Sequence, residues 1–206
     1  MNIYFLHISH FVKLFCDISQ VSPVSQDLSE LLVRVIYYLL NHGTIFGIED
    51  LVQISDQISE ATYGSENSNT ADSLSNHAYL YRLQAKYDEA EPLYKRVLVI
   101  REKVSGSEHP DTARSLNNLA SNYDYQCKYE SAEQLYKRAL AIREKTLGSE
   151  HSDTAVSLNN LALLYKKQGK YDLAEPLYKR ALAIHEKASG SEHPETATSL
   201  NNLASL

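Results

Sequence analysis

The sequence predicts an all-α fold, an α-α superhelix made by stacking antiparallel helix pairs. Three observations carry that expectation. A string of 42 residues recurs without gaps: residues 109–150 and 151–192 are identical at 29 of 42 positions. Each copy holds two apolar patterns of helical period. Gly and Pro are few, at 7 and 5 in 206 residues, which suits long helices. A further copy precedes these at 67–108, and another begins at His193 and reaches Leu206. Repetition at a fixed period means units that bury one face on the next, so the chain counts repeats instead of domains.

Composition narrows the function classes. The formal charge is -6. Residues 1–66 hold two bases, Lys13 and Arg34, against eight acids, while 67–206 hold 18 of each. A nucleic-acid footprint would show as a basic stripe, so no nucleic-acid partner is expected. Two cysteines, Cys16 and Cys127, form neither a disulfide framework nor a metal spacing. A reduced, cytoplasmic setting fits them.

Residues 1–25 open on an apolar run, MNIYFLHISHFVKLF. No Lys or Arg precedes it, His7, His10 and Lys13 interrupt it, and no small-x-small site follows, which argues against a signal peptide. It is also shorter than the ~20 apolar residues that span a bilayer, so no membrane insertion is expected. Ile3, Leu6, His10, Phe11, Leu14 and Phe15 share one helical face. The expectation is an amphipathic helix that caps or packs on the array, with a disordered start as the alternative.

Residues 26–66 align to the next copy after a slide of 42. Leu32 falls on Leu74, Ile36 on Ala78, Leu51 on Leu93, and Gly64-Ser65-Glu66 on Gly106-Ser107-Glu108. This is a degenerate repeat whose first helix covers Leu31–Leu40, with Asn41-His42-Gly43 as its turn and a second helix from about Ile48 to Ala61. Terminal units are atypical because one face lacks a repeat neighbour, and this one is read as the capping unit.

The clear repeats span 67–108, 109–150 and 151–192, and 193–206 begins the first helix of another. In the second of them Leu116, Leu119, Ala120 and Tyr123 lie at i, i+3, i+4 and i+7, one helix face. A new pattern then starts at Tyr129 and runs through Ala132, Leu135, Tyr136 and Ala139. Ala120, Ala132 and Ala139 are small where helices must approach closely; Leu at 132 would overpack that crossing at about 1–3 kcal/mol. Pro110 and Pro194 suit a first helical turn. Gly106, Gly148 and Gly190 stand where second helices must end in a positive-φ residue. Gly169 marks the turn inside the third clear copy, with Ala85 and Cys127 in its place elsewhere. Pro92 and Pro176 imply second helices starting no earlier than about Asp88 and Asp172.

These residues resemble the tetratricopeptide repeat. The match lies in Ala78/Ala120/Ala162, Tyr81/Tyr123/Tyr165, Ala90/Ala132/Ala174, Tyr94/Tyr136/Tyr178 and Val97/Ala139/Ala181. The usual early Trp is absent, and the period exceeds the ~34 of ordinary members. The 42-residue form, with LNNLA, KYDxAEPLYKRALAI and GSEHP, is similar to the kinesin light chain-like group. The resemblance implies a protein-interaction scaffold that binds proteins or extended peptides in a concave groove lined by the first helices. A kinesin-type motor or its cargo is the specific partner it suggests. Motor docking in that group uses an N-terminal heptad coiled coil, and residues 1–66 hold no sustained heptad run.

By the same resemblance, groove-lining residues are Ser75, Asn117, Asn159 and Asn201, where Asn offers both donor and acceptor to a peptide backbone. One turn on come Tyr79, Ser121 and Leu163, then Arg82, Asp124 and Lys166, which differ between copies as specificity positions should. Asn76, Asn118, Asn160 and Asn202 are expected to bridge neighbouring helices. The carboxylate clamp of chaperone-tail repeats is missing at these positions; Arg82 and Lys166 are left as receivers for an acidic ligand residue. His109, His151 and His193 fall in separate links and are expected to cap helices, with no metal among them. The Lys-Arg pairs at 95–96, 137–138 and 179–180 read as a solvated face, a basic stripe being the alternative. No phosphate loop, nucleophile elbow, HExxH or CxxC spacing occurs, so neither catalytic residues nor a cofactor is expected. The second functional class is a sensor module within a larger enzyme or signalling protein. Ending inside a first helix, the array is expected to be a fragment or to self-associate through that end.

Overall fold

The computed structural model describes residues 26–190 and 192–206. The amphipathic-segment expectation for residues 1–25 lies outside them. Among the described residues there are nine α-helices and no strand. They fall into two compact units, divided between residues 104 and 105.

The first unit holds α1 (Gln26–Asn41), α2 (Glu49–Tyr63), α3 (Ser68–Leu83) and α4 (Tyr87–Val104). Leu32, Ile36 and Leu40 of α1 pack on Leu51, Val52 and Ile58 of α2 and on Leu80 of α3. Burying each such side chain stabilises by about 1.5–3 kcal/mol. The next pair packs through Ala71 and Leu74 against Val97 and Ile100.

The second unit holds α5 (Pro110–Tyr125), α6 (Tyr129–Thr146), α7 (Ser152–Lys167), α8 (Tyr171–Ser189) and α9 (Pro194–Ala204). Its core alternates alanine with tyrosine: Ala120, Ala132, Ala162 and Ala174 are fully buried beside Tyr136, Tyr165 and Tyr178. Small residues let the helices close in, and the rings fill what is left between them.

Each turn within a helix pair is a Schellman motif. Lys86, Lys128 and Lys170 donate their backbone N–H to the carbonyls of Tyr81, Tyr123 and Tyr165 at 2.8, 2.8 and 2.9 Å. The motif needs a left-handed residue one position earlier. Gly169 meets this with φ of 73°; Ala85 and Cys127 take it at 58° despite carrying a Cβ. The second helices α4 and α8 start at Tyr87 and Tyr171, one residue earlier than Pro92 and Pro176 suggested. The lysine after the left-handed residue hands the chain straight into helical geometry, which leaves no room for a longer turn.

The links between pairs are closed by a repeated set of bonds. Thr70, Thr112, Thr154 and Thr196 are fully buried, and their hydroxyls donate to the carbonyls of Gly64, Gly106, Gly148 and Gly190 at 2.7–2.9 Å. His109, His151 and His193 cap α5, α7 and α9: each Nδ1 accepts the backbone N–H two residues on.

Candidate functional site

The expected groove residues of the second unit lie on α5, α7 and α9, and the structure sorts them into two sets. Asn117 is 6% exposed, and its Nδ2 donates to Ser157 Oγ at 3.0 Å. Ser157 also accepts from Arg143 Nη1 at 3.0 Å, and Arg143 reaches the Asp153 carbonyl at 2.6 Å. Asn159 repeats the geometry one unit later, donating to Ser199 Oγ at 2.9 Å, with His185 Nδ1 at 2.9 Å from the same hydroxyl. The Nδ2 of Asn117 and of Asn159 is thus spent on the next first helix. The first helices approach so closely that an Asn side chain spans to the serine of the next one. Asn76, by contrast, does join neighbouring helices, donating to the Val33 carbonyl at 3.0 Å.

Asp124 is also engaged between helices. It is 6% exposed, and its Oδ2 accepts from Lys167 Nζ at 2.6 Å, so it ties α5 to α7. Lys167 Nζ also lies 5.2 Å from the Tyr125 ring centroid.

The open set is smaller. Leu163 is 38% exposed, Ser121 is half-buried, and Asn201 is exposed. Lys166 donates to Ser205 Oγ at 2.6 Å on the surface. Tyr125, half-exposed beside Lys167, belongs with these and was missed; it sits one residue past the last position considered on α5.

In the first unit, Ser75, Tyr79 and Arg82 are half-buried on α3. The Arg82 guanidinium sits 4.9 Å over the Tyr79 ring and bonds the Tyr94 hydroxyl. Burial pushes the Tyr94 hydroxyl up to about 12, and Arg82 pulls in the other direction. Arg82 thus serves the interior of its own helix pair. A cavity of about 330 Å³ opens between α1 and α3, lined by Ser29, Glu30, Val33, Arg34, Asn69 and Asp72.

At the α2–α3 junction Asp56 Oδ2 meets His77 Nδ1 at 2.6 Å, and Ser73 Oγ donates to Asp56 Oδ1 at 2.5 Å. Serine, histidine and aspartate are all present, but the serine is bonded to the carboxylate and to Ser55, not to the imidazole. A nucleophile needs its base within reach, and this arrangement does not supply one. Among the described residues no group of three His, Cys, Asp or Glu could hold a metal ion. Arg143 is buried, and desolvation holds its pKa below the usual arginine value, partly offset by Asp153. The Lys-Arg pairs are met by acids: Lys95, Lys137 and Lys179 pair with Glu91, Glu133 and Glu175, and Arg96 and Arg180 with Glu60 and Glu144. That is a solvated face with its charges balanced. Sequence reasoning also missed the node at Arg143 and Ser157; its signal was a serine recurring inside an apolar face at Ser115, Ser157 and Ser199.

The tetratricopeptide repeat family model matches residues 69–145 and 153–206, more than half of the chain. The chain belongs to the tetratricopeptide repeat family. Among solved structures, the nearly identical TPR-like repeats of a kinesin light chain candidate from Podosopora anserina are 28% identical, with a TM-score of 0.71 over 88% of this chain and 87% of that one. BtubC from P. vanneervenii superposes with a TM-score of 0.78 at 24% identity, over 98% of this chain and 80% of that one. A Rap protein complexed with Competence and Sporulation Factor shares the fold, with a TM-score of 0.70 at 16% identity, over 98% of this chain and 59% of that one. No curated protein matches the chain. No helix among the described residues is long and apolar enough to cross a membrane.

Proposed function

We propose that this tetratricopeptide repeat protein is a non-enzymatic, cytoplasmic interaction scaffold, a kinesin light chain-like adaptor that holds an extended peptide or partner segment against the first helices. One observation carries the reading. Between α5 and α7, the alanine and leucine packing positions repeat, apart from the buried pair Asn122/Leu164, while several exposed positions differ. Leu116/Leu158 and Ala120/Ala162 are the same and buried; Ser121/Leu163 and Tyr125/Lys167 differ and face outward. Packing explains the first group but not the second, which can vary to suit a ligand. In the second unit, Leu163 and Tyr125 supply apolar contact, Lys166 a cation, and Ser121 and Asn201 polar groups. Ser75 and Tyr79 are the corresponding contacts in the first. Asn117, Asn159, Asp124 and Arg82 support this face from beneath. The reading of the chain as a module of a larger signalling protein draws on the Rap fold, of which this chain spans 59%.

The test is selection from a displayed library of random extended peptides. Wild-type protein is expected to enrich a motif that the Leu163→Asp/Lys166→Glu variant loses. The outer-face variant Lys137→Glu/Lys179→Glu should retain it. An identical motif from all three proteins would sink the proposal.

A further inference from the structure

Lys167 of α7 fills a seat on α5 that it satisfies only in part. Its Nζ donates to Asp124 Oδ2 at 2.6 Å and lies 5.2 Å from the centroid of the Tyr125 ring. Asp124 is 6% exposed, and its other oxygen, Oδ1, is buried and takes no hydrogen bond among the described residues. A buried carboxylate oxygen left without a donor costs free energy. Tyr125 is half-exposed and the Lys167 side chain is partly exposed, so the carboxylate lies inside while its ring and its cation reach solvent.

The repeat shows that packing does not demand this pair. Sliding by 42 in either direction carries Asp124-Tyr125 onto Arg82-Leu83 of α3 and Lys166-Lys167 of α7. The fold accepts a base in place of the acid, and an aliphatic side chain or a lysine in place of the ring. A buried carboxylate beside an aromatic ring recognises a cation, and its two parts select the kind. An ammonium is a point charge, and here it makes one bond to the carboxylate. A guanidinium is planar, offers paired N–H donors to both oxygens of a carboxylate and stacks on an aromatic face. The first unit makes the second of these contacts with its own side chains, where the Arg82 guanidinium lies 4.9 Å over the Tyr79 ring.

We propose that Asp124 and Tyr125 form a seat for an arginine side chain of the bound peptide, and that Lys167 is the internal cation this arginine displaces. The inference rests on the scaffold reading above and names one residue of its ligand. A partly exposed lysine pair contributes little to stability, so the exchange is cheap, and the arginine satisfies the oxygen that Lys167 leaves bare. The released ammonium joins Lys166 on α7, which favours an acid next to the arginine in the ligand.

The test uses the full chain and two probes, acetyl-arginine methylamide and acetyl-lysine methylamide, titrated by NMR at the Asp124 carboxylate and the Tyr125 ring. Wild type is expected to bind the arginine probe about tenfold more tightly than the lysine probe. Lys167→Met keeps the apolar stem and removes the competing cation, and should tighten the arginine probe about fivefold. Tyr125→Leu, which places the Leu83 side chain at this register, should weaken it about threefold. Asp124→Asn should abolish the preference for arginine. Equal affinity of wild type for the two probes, or a Lys167→Met variant no tighter than wild type, would overturn the proposal and leave Lys167–Asp124 as a fixed tie. Peptide selection separates this inference from the reading beneath it. A selected motif that lacks arginine sinks the seat and leaves the scaffold; a library that yields no motif sinks both.

Discussion

The junction between α2 and α3 and the junction between α6 and α7 occupy equivalent places 84 residues apart, yet they are held by different chemistry. At α6–α7, Leu140 packs against the apolar cluster that holds Leu161, and the polar anchor is Asn117–Ser157–Arg143. At α2–α3 the two leucine positions hold Asp56 and His77, and the arginine and asparagine positions hold Ser59 and Val33. The anchor has moved along the second helix by three residues, about one turn, from position 59 to position 56. At α8–α9 the arginine position carries His185, again bonded to the serine of the next helix. A tight helix crossing lined by small residues keeps one buried polar tie, and the backbone does not care which turn supplies it. Paired polar substitutions can therefore move the tie without moving the helices.

The largest expected effect comes from the arginine. Arg143→Ala should destabilise by about 3 kcal/mol, since it strands the Asp153 carbonyl and leaves a buried gap. Ser59→Ala, at the equivalent site, should cost less than about 1 kcal/mol. Equal urea midpoints for the two variants would break the contrast between the junctions. Next comes the carboxylate. Asp56→Leu should cost about 2 kcal/mol because His77 and Ser73 lose their buried partner. Adding His77→Leu recreates the leucine pair of the later junction, so Asp56→Leu/His77→Leu should return to within about 1 kcal/mol of wild type. A double variant no better than the single would mean that the Asp56–His77 pair is not interchangeable with the leucine pair.

Smaller effects test what the two regions share. Cys127 holds the left-handed position that Gly169 holds in the next repeat. Cys127→Gly should gain, and Gly169→Ala lose, about 1 kcal/mol in thermal melts, from backbone strain alone. No atom lies within 4 Å of a Cβ added at Gly169, so sterics with neighbours do not enter. The smallest effect belongs to the exposed ladder in which Lys103, Lys145 and Lys187 pair with Glu66, Glu108 and Glu150. Lys187→Ala should change stability by less than about 0.5 kcal/mol, with the difference fading in high salt. A larger loss would show that the ladder contributes more than solvent-exposed pairs ordinarily do.

Much of this molecule was legible in advance because helix formation depends on local pattern. Leu116, Leu119, Ala120 and Tyr123 mark a helix face without reference to anything distant, and a link such as Gly106–Thr112 carries its own caps. The candidate site was less legible. Asn117 and Ser121 lie on one helix with similar polarity, so nothing local separates a side chain that reaches Ser157 from one that faces outward. Asp124 and Lys166 both read as specificity positions; the partner of Asp124 is Lys167, 43 residues away, and only the packed helices bring it within 2.6 Å.

What the sequence by itself determined is the repeat: its 42-residue period, its helix pairs, the small residues at their crossings and the residues that end each helix. These follow from steric and hydrogen-bonding preferences acting over a few neighbours. What only the tertiary structure decided is which polar residues are spent holding one helix to the next and which stay exposed. That division depends on the distance between first helices in adjacent repeats, a separation set by the alanines and tyrosines packed between them.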